Sequence, residues 1–285
     1  MGTKKKIDIS YFPGCSLATT ARENNASLIA VCKETGLNLV ELDDWNCCGS
    51  SSAHSLFPDV ALHLASRNLS LAPPGRPLLV ACPSCNLRLR HAHLHLQQDA
   101  TARDEYKSLW SRDFDPDLKI IHFFELFTDG KLSKHARGKE DLLKGLRFVP
   151  YYGCMLTRPP ALRREKNYYG LMEEVLSSIG GVPVKWALGS RCCGTFLSAA
   201  KPAIVTQMVN EIVQNAIDSG AECIVTACSM CHLNVEMRCN LKKRVPVFHF
   251  SELLSLSPDS VRHKDWFSRH LVDPIPLLKT RGLFR

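Results

Sequence analysis

Two stretches of the chain place cysteines side by side with a glycine directly after them: WNCCGSS, from Trp45 to Ser51, and SRCCGTF, from Ser190 to Phe196. A disulfide between sequence neighbours closes a strained ring and holds the two Cα atoms too close for relaxed S–S geometry, so each pair faces something else. The other thiols give the context. In order they run Cys15, Cys47-Cys48-Gly49 and Cys82-x-x-Cys85, then Cys154, Cys192-Cys193-Gly194 and Cys228-x-x-Cys231. One pattern is written twice, and ten of the thirteen cysteines belong to it.

A Cys-x-x-Cys at a strand-to-helix junction aims two sulfurs at one centre, where the free N–H groups of the next turn stabilise anionic sulfur. Four thiolates complete a zinc site or a cubane iron–sulfur cluster. Each half here offers five. Adjacent cysteines point in different directions, so a pair grips separate metal atoms or bridges them more naturally than it chelates one, and the glycine lets the backbone turn close to inorganic sulfide. The count favours a polynuclear site, with zinc on four of the five thiolates in one or both halves as the alternative.

The repeat extends past sulfur. YFPGC ending at Cys15 answers YYGC ending at Cys154, LLVACPSCNLRLR from Leu78 answers CIVTACSMCHLNVEMR from Cys223, and HFFELF at His122 answers HFSELL at His249. A period near 140 residues is too long for a solenoid unit and indicates two modules of like fold related by duplication.

The elements that carry these cysteines alternate between strands and helices. Lys6 to Phe12 reads as a strand whose Pro13-Gly14 turn delivers Cys15, Ala21 to Thr35 as a helix stopped by Gly36, and Leu39 to Leu42 as a strand before the first Cys-Cys-Gly. Asp59 to Leu71 reads as a helix and Leu78 to Ala81 as a buried strand entering Cys82; the order recurs from Phe148, Tyr168, Val182, Ala203 and Ile224. The expected fold class is α/β: two similar cysteine-rich α/β modules with mostly parallel sheets, flanking helices, and cysteines at the carboxyl ends of strands. We place the modules at residues 1–140 and 145–256. The charged stretch from Gln97 to Leu146 holds the last strand of the first module and a linker, and 257–285 forms a C-terminal arm expected to wrap a partner.

The spacings Cys-x31-Cys-Cys-Gly-x32-Cys-x-x-Cys and Cys-x37-Cys-Cys-Gly-x33-Cys-x-x-Cys resemble the two cysteine-rich modules in the B-type subunit of heterodisulfide reductase over nearly the whole chain. The resemblance implies a noncubane [4Fe-4S] cluster in each module, one on Cys15, Cys47, Cys48, Cys82 and Cys85 and one on Cys154, Cys192, Cys193, Cys228 and Cys231. It implies that the pair cleaves or forms a disulfide in one-electron steps. It also implies partners: a ferredoxin-like subunit with cubane [4Fe-4S] clusters and a flavin-containing subunit. Neither Gly-x-Gly-x-x-Gly nor Cys-x-x-Cys-x-x-Cys occurs, so electrons come from such a partner. The rival reading is a non-catalytic electron-transfer or zinc-stabilised scaffold subunit.

Other side chains near the motifs are weaker candidates. His54 and Lys201, each shortly after a Cys-Cys-Gly, suit proton delivery or substrate anchoring as well as an ordinary surface role. Arg158 and Arg191 suit neutralising cluster charge or holding a substrate carboxylate. His91 and His95, one helical turn apart, read as a solvated helix face, and His122 and His249 as helix caps or core groups. Cys32, Cys223 and Cys239, outside the pattern, read as small buried hydrophobes.

Composition bounds the rest. The 285 residues are 45% hydrophobic and 22% charged, ordinary for a globular chain, and bury a core without disulfides. In a reducing compartment, thirteen cysteines read as metal ligands or redox groups and not as a disulfide scaffold. A net charge of +8 with no basic run longer than the three residues Lys4 to Lys6 argues against nucleic acid. No stretch reaches the ~18 apolar residues of a membrane span, and IDISYFPGC after the basic start lacks a secretory core, so a cytoplasmic protein, or one peripheral through a partner, is expected.

Overall fold

The computed structural model describes residues 6–50, 53–128, 139–157, 168–256 and 265–284. The first module runs β1 (Ile7–Phe12), α1 (Gly14–Ala18), α2 (Arg22–Glu34), β2 (Leu37–Glu41), α3 (Ala53–Leu56), α4 (Pro58–Ser70), β3 (Leu78–Val80), α5 (Pro83–Gln98), α6 (Ala100–Trp110), β4 (Ile120–His122) and α7 (Glu125–Thr128). The second runs β5 (Arg147–Tyr151), α8 (Leu171–Ser177), β6 (Val182–Pro183), a 3-10 turn (Thr195–Leu197), α9 (Pro202–Asp218), β7 (Cys223–Thr226), α10 (Ser229–Arg238), β8 (Val247–His249) and α11 (Phe250–Leu254). A last helix, α12 (Ile275–Thr280), lies in the C-terminal segment.

Each module builds one all-parallel four-stranded sheet, in the orders β2-β1-β3-β4 and β6-β5-β7-β8. The orders correspond strand for strand, the two-module α/β architecture that the cysteine repeat implies. In the centre of each sheet Tyr11 pairs with Leu79, and Tyr151 with Thr226. Parallel sheets are covered on both faces, so side chains of period two divide between two cores. Ile9 and Tyr11 of β1 enter one core while Phe12 enters another; Phe148 of β5 joins the first of these and Val149 and Tyr151 a third. The core that takes Ile9, Tyr11 and Phe148 also takes Phe123, Phe124, Tyr152, Phe248 and Phe250, so both modules share it. Each sheet's other face has a core of its own.

Three features differ from the sequence expectations or refine them. The stretch expected to hold only a strand and linker contains α6, started by Asp99, whose carboxylate accepts hydrogen bonds from the N–H groups of Thr101 and Ala102. The C-terminal segment lies on this chain's own core instead of standing free: Phe267, Leu278, Leu283 and Phe284 are buried there, and Arg281 pairs with Glu222. These four apolar side chains therefore already have a partner within the molecule. Cys32 and Cys223 are buried in the shared core and Cys239 in that of the second module.

Candidate functional site

The ten patterned cysteines gather at the carboxyl ends of the sheets. Cys82 ends the turn after β3 and caps α5, whose first turn holds Cys85; Cys228 and Cys231 repeat the arrangement on α10. Both thiol pairs thus sit at a helix N-terminus, where exposed N–H groups and the helix dipole favour negative charge. Cys15 lies in α1, directly after β1, and Cys154 in the turn after β5. The paired cysteines arrive on loops pinned to neighbouring helices. Asn68 of α4 binds Asn46 in both directions, at 2.9 and 3.0 Å, and Asn234 of α10 donates to the Cys193 carbonyl at 2.7 Å. Gly49 and Gly194 adopt φ of +75° and +78°, the turn the sequence implied.

Within each set the sulfurs converge. Cys48 Sγ lies 3.1 Å from Cys85 Sγ, and Cys193 Sγ lies 3.4 Å from Cys231 Sγ. These spacings are far beyond an S–S bond of ~2.05 Å. They suit ligands of one centre. Gly14 and Gly153 make room for this, with φ of +72° and +66°. A Cβ on Gly14 would stand 2.8 Å from Cys85 Sγ, and one on Gly153 would stand 3.3 Å from Cys231 Sγ.

Ionisation of the bare thiols is mutually exclusive. Hydrogen bonds from Cys15 and Cys48 push the Cys47 thiol down to about 2, while donation to Cys47, burial and neighbouring charge push Cys15 up. Cys48, donating to Cys47, is pushed up to about 12. In the second module the bond with Cys231 lowers Cys193, and the bonds to Cys193 and Cys228 raise Cys231. Five thiols so placed cannot ionise together without a cationic centre to share, so the donor set fits a polynuclear iron–sulfur group or a zinc ion.

The two sets also meet each other. Cys82 and Cys228 lie within hydrogen-bonding reach across the module boundary. A cavity of about 250 Å³ is lined by Cys15, Cys47, Cys48, Cys82 and Cys85 and closed by Thr195, Phe196 and Met230 of the second module. A tighter one of about 20 Å³ adjoins Cys154, Cys192, Cys193, Cys228 and Cys231 and shares Ser84, Thr195, Phe196 and Met230 with the first.

Of the weaker candidates, His54 on α3 stands closest to this space: its ring meets Phe196 edge-on at 5.8 Å. Arg191 directs its guanidinium to Glu211 at 2.8 Å, on the surface. Lys201 precedes α9 on the exposed side and lines neither cavity. Arg158 lies outside the described residues. His122 and His249 cap short helices in the same way, each backbone N–H donating to the glutamate three residues on, Glu125 or Glu252.

Comparison with known proteins agrees with this duplicated geometry. The profile of the cysteine-rich domain family known as CCG matches residues 9–90 and again residues 149–236. The 8-methylmenaquinol:fumarate reductase membrane anchor subunit of Wolinella succinogenes is 27% identical, over 88% of this chain and 92% of its own length. The B-type subunit of the ferredoxin/F(420)H(2)-dependent CoB-CoM heterodisulfide reductase of Methanosarcina acetivorans is 23% identical, over 89% of this chain and 91% of its own. A crystal structure of a hypothetical protein from Helicobacter pylori has a similar fold, with a TM-score of 0.69 and 11% identity; it matches 93% of this chain, which spans only 51% of that one. The chain belongs to the cysteine-rich CCG domain family and carries the domain in two copies.

Proposed function

We propose that this chain is the catalytic subunit of a heterodisulfide-reductase-like complex, reducing a disulfide, or oxidising thiols in reverse, at two noncubane [4Fe-4S] clusters. The observation that carries the reading is the cavity in which the first cysteine set faces Thr195, Phe196 and Met230 of the second module, with Cys82 facing Cys228. A disulfide needs two electrons and has two sulfurs to be taken up, and two adjoining sites meet both needs. Iron–sulfur groups in these sites would supply one-electron transfer and iron with affinity for sulfur. Phe196 and Met230 give the cavity an apolar wall that suits a thioether or alkyl thiol chain, and His54, against Phe196, stands where a proton could be delivered to a leaving thiolate.

Electrons would enter from partner subunits, a ferredoxin-like one with cubane clusters and a flavin-containing one. Leu56, Phe57 and Val60, which follow the first Cys-Cys-Gly loop, and Leu197 and Ile204, which follow the second, are exposed apolar groups suited to such docking. Among the described residues no helix is long and apolar enough to cross a membrane.

The similarity to a quinol:fumarate reductase subunit over nearly its full length favours a second reading, in which the clusters relay electrons without turning over sulfur. Anaerobically purified protein separates the two. About eight irons and sulfides per chain, with disulfide consumption from a one-electron donor and an EPR signal induced by the thiol product, support the first. Clusters that accept electrons and leave every disulfide intact support the second, and zinc without iron removes both.

A further inference from the structure

We propose that the second module holds a further metal site, distinct from the cysteine sets: a divalent transition-metal cation of the zinc class bound by His232, Glu236 and His270, with Glu252 holding the opposite edge of the His270 ring. The four side chains come from α10, α11 and the C-terminal segment, and all are buried. One ligand atom from each of His232, Glu252 and His270 lies within 4.8 Å of the others. Glu236 Oε1 stands 3.3 Å from His270 Nδ1 and 3.6 Å from His232 Nε2, and Glu252 Oε1 stands 3.0 Å from His270 Nε2. Ligands at 2.0 to 2.2 Å from a tetrahedral zinc are separated by roughly 3.3 to 3.6 Å, the spacing of Glu236 from both imidazoles, while Glu252 on the opposite nitrogen orients the His270 ring.

The surroundings orient these groups as outer partners orient metal ligands. Asn24, reaching over from the first module, holds His232 Nδ1 and leaves Nε2 for the cluster. The second oxygen of each carboxylate is engaged by a backbone N–H, Leu271 on Glu236 at 2.8 Å and His249 on Glu252 at 2.7 Å. Both first oxygens are thereby aimed at the imidazoles. Among the described residues, His232 Nε2, Glu236 Oε1 and His270 Nδ1 are buried polar atoms with no hydrogen-bond partner. Three such atoms converging on one point can be satisfied together by one cation, each otherwise costing about 1–3 kcal/mol when left unpaired.

The duplication supplies an independent argument. By the cysteine repeat, Arg90 corresponds to Glu236, five residues after Cys85 and Cys231 respectively, and Glu125 corresponds to Glu252. In the first module the Arg90 guanidinium pairs with buried Glu125 at 3.2 Å. In the second, the cation has been replaced by another carboxylate, with buried Glu23 also nearby, and two histidines have been added. A bound cation restores the lost positive charge. Lacking a metal, the same carboxylates overcome the lowering effect of burial and hold His270 protonated, its pKa pushed up to about 10, so a proton is the competitor.

The cation would staple the C-terminal segment to the helix that begins at Cys228 and, through Asn24, to the first module. The test uses the full chain purified anaerobically, with zinc and iron counted and the zinc X-ray absorption edge recorded, in the native protein and in Glu236→Gln and His270→Gln. About one zinc per chain with nitrogen and oxygen neighbours near 2.0 Å, absent from both variants while iron is retained, is the expected result; zinc bound to sulfur near 2.3 Å belongs to the cysteine sets. To guard against variants that fail to fold, native protein is also treated with a zinc chelator: a fall in Tm reversed by Zn²⁺ at constant iron is expected. No metal with nitrogen and oxygen ligands, together with a chelator-insensitive Tm, overturns the proposal and leaves a protonated His270 in its place.

Discussion

The thiol of Cys82, at the start of α5, lies within hydrogen-bonding reach of the thiol of Cys228, at the start of α10, although the two belong to different modules. Corresponding members of the duplicated pattern therefore face each other across the module boundary. Any metal group on one set would be the near neighbour of a group on the other.

Replacing Cys82 by serine accordingly has two expected effects. Iron falls from about eight to about four per chain as the first site empties, and the EPR signal of the surviving cluster changes shape, because a group in contact with its ligand has been altered. Cys32→Ser, buried in the shared core away from both sets, leaves iron and spectrum unchanged. Equal iron loss in the two variants would contradict the ligand assignment.

The two glycines beside the last cysteines are predicted to differ in tolerance. Gly14→Ala combines a left-handed φ of +72° with a Cβ only 2.8 Å from Cys85 Sγ, whereas the Cβ of Gly153→Ala stands 3.3 Å from Cys231 Sγ. Both variants lose about 1–2 kcal/mol to backbone strain. Gly14→Ala also displaces a sulfur, and cluster absorbance at the first site should drop more than at the second in the matched variant.

Phe250 joins the modules. It is fully buried and its ring meets Phe123, Phe124 and Phe127 of the first module at 6.5, 5.0 and 5.2 Å. Phe250→Ala should cost about 3–5 kcal/mol, read from denaturant unfolding followed by circular dichroism. The transition should remain single, since the lost contacts hold both halves at once; a split into two transitions would show that the modules unfold separately.

Acid should destabilise the protein through His122 and His249. Burial holds each neutral and pushes its pKa down to about 4. An unfolded histidine titrates near 6.5, so the unfolded state binds more protons between about pH 6.5 and 4. Stability is then complete above this window and falls within it, by at most about 1.4 kcal/mol per pH unit for each histidine. Denaturant unfolding at pH 7 and pH 5 should show a slope that His122→Gln reduces by one histidine's share.

The cysteine pattern located the ten convergent thiols and the duplication, because ligation fixes residue type and spacing together, and the alternation of strands with helices located the parallel α/β architecture. Strand and helix positions followed from apolar periodicity, and β1, α2 and α4 lie within a residue or two of where it put them. What the spacing did not carry was tertiary pairing. Arg191, next to a ligand, turns to Glu211, and the C-terminal segment, with its mix of apolar, proline and basic residues, packs inward because Phe267 and Phe284 reach the shared core. His232, Glu236, Glu252 and His270 escaped notice because they come from separate stretches and form no local motif. The available signal was a break in the repeat: Glu236 stands where the first copy has Arg90, and His232 where it has Asn86.

The core common to both sheets bears on how a substrate is received. Ile9 and Tyr11 from one sheet and Phe148 and Val225 from the other pack into a single interior, so moving one half against the other would have to break that packing. If the two sulfur-lined sites hold the proposed clusters, the gap between them would act as a gauge: molecules would be selected by whether they span it, and an electron crossing it would travel the same distance in each turnover.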